Sequence, residues 1–105
     1  MDHEDREATE AAMSLLRALR AEQIEMAQRI AERLIAAHGI TNSREVWLVM
    51  RRDGLLDARV KDHWLGCIFR DKRFKWTGEY VLPPLPEGTS IHAQRPVKVW
   101  GLSGV

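Results

Sequence analysis

The stretch Asp57-Ala58-Arg59-Val60-Lys61-Asp62-His63-Trp64-Leu65-Gly66-Cys67-Ile68-Phe69-Arg70 decides the fold, because a helix sorts it into two unlike faces. At about 100° per residue, Val60, Trp64, Cys67 and Ile68 share one side, and Leu65 and Phe69 widen it. Arg59, Asp62, His63, Gly66 and Arg70 fall together opposite. The spacing predicts a helix from an N-cap at Asp57 to about Arg70, with its tryptophan side covered, Cys67 buried, and a polar, partly basic side turned to solvent. Gly66 sits at the centre of that outward side, where a missing side chain lets the backbone come close to a ligand.

Downstream of Asp71-Lys72-Arg73 the period changes to two: Phe74, Trp76, Gly78 and Tyr80 alternate with Lys75, Thr77, Glu79 and Val81, as in a strand. Val97-Lys98-Val99-Trp100-Gly101-Leu102 reads as a second strand, and the residues between, Leu82 to Pro96, hold all four prolines. The expected form is a hairpin with a long, stiffened loop. Upstream, Asn42 followed three residues later by Glu45 has the form of a capping box, and the helix it opens carries Val46, Trp47, Val49 and Met50 inward. Asp53-Gly54 ends that helix after Arg52.

The N-terminal stretch reads as one long helix or two helices in line. Glu4 to His38 has no Gly or Pro and repeats apolar or small residues at Ala12, Leu15, Leu16, Leu19, Met26, Ile30, Leu34 and Ala37, before Gly39 stops it. Such a length exceeds what one small domain can cover. Residues 1–21 are therefore expected to form a helical arm, a candidate dimerisation element, and residues 22–105 a single domain. The result is an α+β fold: three helices plus a C-terminal hairpin, the order of a winged helix-turn-helix with an extended N-terminal helix.

Composition narrows the function classes. With 105 residues, 45% hydrophobic and 30% charged, the chain has room for one modest core. Cys67 is the only cysteine, so no intrachain disulfide forms, and a reducing, cytoplasmic setting is expected. The acidic start Met1-Asp2-His3-Glu4-Asp5 suits neither an export signal nor a membrane span. His3, His38, His63 and His92 are too scattered for a metal pattern, and no nucleophile-base pair, P-loop or dinucleotide fingerprint occurs. A binding protein without cofactor or metal is expected rather than an enzyme.

Charge is uneven. The net charge is +1, but residues 1–41 hold eight acids against five bases, leaving +4 for the remainder. In that remainder Arg59, Lys61, Arg70, Lys72, Arg73 and Lys75 face only Asp62 and Asp71 within their own stretch. Such a run suits phosphate, although cations at a helix end also complement its dipole without any ligand. The tryptophans are better explained as core than as stacking platforms, Trp76 being the least settled. Pro83-Pro84-Leu85-Pro86 is better read as a rigid loop than as a polyproline ligand.

Trp64-Leu65-Gly66-Cys67-Ile68-Phe69-Arg70, then Phe74 and Gly78, then Arg95-Pro96-Val97-Lys98-Val99-Trp100, resembles small winged-helix proteins of bacteriophages and prophages. In these an aromatic-x-Gly-x-x-Phe-Arg helix precedes a hairpin closing in Arg-Pro-Val-x-Val-Trp. The resemblance spans about Gln23 to Leu102 and implies duplex DNA as ligand, as in a phage-type regulator of transcription or a replication or packaging accessory. The expected contacts are Arg59, Lys61, His63, Arg70, Lys72 and Arg73 from the third helix and its end, with Arg95 and Lys98 from the wing. The alternative is a protein-interaction module, an adaptor or inhibitor of a host or phage protein that works through the amphipathic arm.

Overall fold

The computed structural model describes residues 3–60, 62–82 and 95–104, and it is α+β: three helices followed by a two-stranded antiparallel hairpin. Helix α1 (His3–His38) runs unbroken for 36 residues, about 54 Å at the usual rise. Gly39, at φ +87°, ends it and returns its N–H to the Ile35 carbonyl at 2.6 Å. From Gln23 onward α1 buries Ala27, Ile30, Ala31 and Ile35, whereas residues 6–18 are exposed throughout. No helix among the described residues is long and apolar enough to cross a membrane.

Helix α2 (Ser43–Arg52) starts as its capping sequence dictates: the Glu45 N–H donates to Asn42 Oδ1 at 3.0 Å. The reciprocal half of the box differs, because the Glu45 carboxylate accepts from the Thr41 hydroxyl at 3.0 Å. Val46 and Met50 are fully buried, Trp47 and Val49 half-buried. Thr41 itself lies against the hairpin, exchanging backbone hydrogen bonds of 2.9 and 2.8 Å with Trp100.

The third helix corrects one expectation: it begins at Asp62, not Asp57, and Asp62–Arg70 is a 3-10 helix with a kink at Phe69 (φ −96°, ψ 15°). The cause is local. The Asp57 carboxylate takes the N–H and the guanidinium of Arg59, and the Val60 N–H bonds to the Asp57 carbonyl, so these residues close a tight turn of their own. Cys67 is only half-buried and accepts a contact from Arg20 at 3.7 Å. Trp64, Ile68 and Phe69 do supply the covered side, packing with Ala27, Ile30, Ala31, Val46 and Met50.

Strands β1 (Phe74–Val81) and β2 (Val97–Leu102) pair antiparallel, with Phe74 opposite Leu102 and Trp76 opposite Trp100. The expected alternation along β1 fails after Phe74. Between the Trp76–Trp100 and Tyr80–Lys98 pairs, residues 77–79 stand against Val99 alone. The Thr77 hydroxyl donates to the Val99 carbonyl at 3.0 Å, and Gly78 takes φ +89°, so Trp76 and Tyr80 lie outside at 39% and 57% exposure. The ring of Phe69 joins the helices to this hairpin, stacked on Trp100 at 5.0 Å and edge-on to Phe74 at 5.1 Å.

Two substitutions test this packing. Asn42→Ala should cost about 1 kcal/mol by removing the α2 cap. Met50→Ala, at a fully buried site, should cost about 2–5 kcal/mol; urea denaturation of both variants gives the comparison.

Candidate nucleic-acid interface

Gly66 and Arg70 are both exposed on the third helix, whose end is kinked at Phe69. There they line an open groove of 420 Å³ with Leu65, Val97, Lys98 and the first residue of α2, Ser43. An added side chain at Gly66 would meet nothing within 4 Å, so the glycine leaves the groove floor open rather than avoiding a clash. Ser43 brings the positive end of the α2 dipole to the same place, with the Glu45 N–H already taken by the Asn42 cap. Arg70 makes no hydrogen bond or ion pair with a described residue. Lys98 is steered by the Trp76 ring, its ammonium 4.8 Å from the centroid. Two cations, a helix N-terminus and bare backbone favour an anionic ligand.

The remaining basic residues divide by what they already hold. Arg59 chelates Asp57, with contacts of 3.0 and 2.8 Å. Arg73 bonds Asp71 at 3.0 Å and reaches across to Glu32 of α1 at 2.6 Å, tying the start of β1 to the first helix. Both guanidiniums are half or more satisfied within the chain. Lys72 and Arg95 are exposed and flank the groove elements in sequence. Lys61 lies outside the described residues, and so does the side chain of His63. Most of the proline-rich loop, residues 83–94, lies outside them too.

Two features escaped the sequence reading. Ser43 belongs to the groove, and its only signal was the cap at Asn42; adjacency to Arg70 arises from tertiary packing alone. On α2, Arg44 and Arg51 flank the half-buried Trp47 ring at 4.8 and 5.4 Å, a second cationic surface produced by one helical ridge. A larger groove of 570 Å³ runs between the end of α1 and β1, lined by Ile35, Ala36, Ile40, Trp76 and Leu102 among others. Its single cation is Lys75, which makes it the poorer place for a polyanion. Among the described residues no cluster of His, Cys, Asp and Glu could hold a metal ion. Comparison of the chain with protein-family models, curated proteins and solved structures gave no match.

Hydrogen bonds from Arg59 pull the Asp57 carboxyl from its ordinary 3.8 down to about 2. The Arg73 hydrogen bond lowers Asp71 in the same direction. A depressed carboxylate contributes stability that is complete above its unfolded value and is lost as pH falls through the folded one. Carboxyl NMR titration should therefore place the Asp57 midpoint near 2, and Arg59→Ala should return it toward the ordinary value.

Proposed function

We propose that this chain is a winged-helix protein that binds duplex DNA and pairs with a second copy through its N-terminal arm. The element order supports the fold: a helix, a short extended segment at Thr41, two further helices, then two strands. Thr41 adds a third extended segment beside β2, so the hairpin is anchored on the helices as a wing requires. The observation that carries the functional reading is the groove where Gly66, Arg70, Lys98 and the α2 N-terminus converge. Arg70, Lys98, Lys72 and Arg95 are the contacts best placed for phosphate, and the open strip at Gly66 lets the helix backbone approach a groove edge. Arg59 and Arg73 act mainly within the protein. A cytoplasmic, phage-type regulator or packaging accessory fits this reading.

The exposed arm supports a second reading, a module that docks on another protein. Salt dependence separates them. In fluorescence-anisotropy titrations of a duplex between about 50 and about 200 mM salt, affinity should fall steeply. Arg70→Ala and Lys98→Ala should each lower the slope of log affinity against log salt by about one. Arg59→Ala should leave it unchanged. Absence of duplex binding at the lower salt, or a slope indifferent to Arg70 and Lys98, contradicts the DNA reading.

A further inference from the structure

Trp76 and Tyr80 form an exposed aromatic corner on the hairpin that the duplex reading leaves unused. Four residues of extended strand span about 13 Å, yet the two ring centroids are 5.5 Å apart, with the ring planes at 73°. The bulge closes that distance. It is held by hydrogen bonds from the Thr77 hydroxyl to the Val99 carbonyl, from the Glu79 N–H to the Thr77 hydroxyl and from the Trp76 indole N–H to the Glu79 carbonyl. Gly78 supplies the positive φ at its centre. Both rings stay open to solvent, and exposed Val81 and Leu82 continue the apolar surface.

The chemistry of the corner selects its occupant. With the indole N–H satisfied inside the bulge, the pair offers π surface rather than a polar group. A flat group stacked on one of two perpendicular rings meets the other edge to face, a favourable geometry for both contacts. Charge disfavours a cationic guest. The Lys98 ammonium lies 4.8 Å from the Trp76 centroid, Lys98 stands opposite Tyr80 across the hairpin, and Arg95 is exposed just before β2. Glu79 is the one acid of the two strands, against Lys75 and Lys98. A flat guest with negative charge beside it is a nucleotide. Lys98 also lines the groove with Gly66 and Arg70, so one cation belongs to both places.

We propose that the Trp76–Tyr80 corner seats an unpaired base of the DNA whose duplex part lies in the groove. The proposal rests on the nucleic-acid reading and specifies its ligand: a duplex with a single-stranded extension. Bases within a duplex are stacked on one another, and reaching Trp76 or Tyr80 from there costs their unstacking. A tail brings bases already free. Because every base has a π face, the corner selects strandedness rather than sequence.

Fluorescence anisotropy at low salt tests the proposal with three DNAs: a blunt duplex, the same duplex with a short thymidine tail, and the same duplex with an abasic tail of equal length. The two tails carry equal charge, so the difference between them reads the bases alone. The thymidine tail should bind about tenfold tighter than the abasic one. Tyr80→Ala should abolish that difference and Tyr80→Phe should keep it. Unchanged affinity of Tyr80→Ala for the blunt duplex shows that the variant is folded. Equal affinity of the unsubstituted protein for the two tails, whatever the variants do, overturns the proposal and leaves the corner to a protein partner. A difference that survives Tyr80→Ala overturns it as well. Binding of the blunt duplex without discrimination between tails removes the corner alone, whereas no binding of any of the three removes the nucleic-acid reading and this proposal together.

Discussion

The covered side of the third helix is the constraint on which the other elements depend. Trp64, Ile68 and Phe69 each lose nearly all their exposure against α1 and α2, and burial of that kind is worth roughly 1.5–3 kcal/mol per large side chain. Once those side chains point inward, Gly66 and Arg70 must point outward. Phe69 then carries the constraint to the hairpin through its stack on Trp100, whose backbone is held by Thr41 at the mouth of α2. A single aromatic residue thus relates the helix face, the β2 strand and the α2 N-terminus, the three surfaces that make the cationic groove.

Two glutamines refine this placement from α1. Gln23, 5% exposed, donates to the Leu55 carbonyl and accepts from the Asp57 N–H, clamping the segment that leads into the third helix. Gln28 donates to the Ile68 carbonyl at 3.1 Å near that helix's end. Satisfying these backbone groups inside the protein removes the penalty of burying them and fixes where the 3-10 helix begins and ends. The ion pairs act more locally. Surface pairs such as Arg59 with Asp57 add little stability, but they hold one another's charge and so reduce what is offered to an external phosphate.

Much of the fold could be read from residue order because its signals are local. The stop at Gly39, the cap at Asn42, the change of period after Arg73 and the polar-apolar sorting around Trp64 each depend on near neighbours, and the corresponding elements are present. The limits are of two kinds. At Asp57 two local motifs compete, a helix cap and a turn closed by Arg59 two residues on, and residue type alone does not choose between them. Elsewhere long-range contacts decide. Alternation along β1 gave no sign that residues 77–79 bulge opposite Val99. In the candidate site, Arg70, Gly66 and Lys98 were legible as a basic helix end, a glycine and a wing cation; Ser43 and the tie from Arg73 to Glu32 needed the tertiary fold.

The central claim is that the groove between the third helix and β2 is where the polyanion meets the protein. Amide chemical-shift mapping during titration with a short DNA duplex tests it most directly. The account predicts that the largest shifts fall at Ser43, Gly66, Arg70 and Lys98, with Ala36, Gly39 and Ile40 of the larger groove nearly still. Shifts concentrated instead along residues 6–18 of α1, or around Ile40 and Trp76, would contradict it.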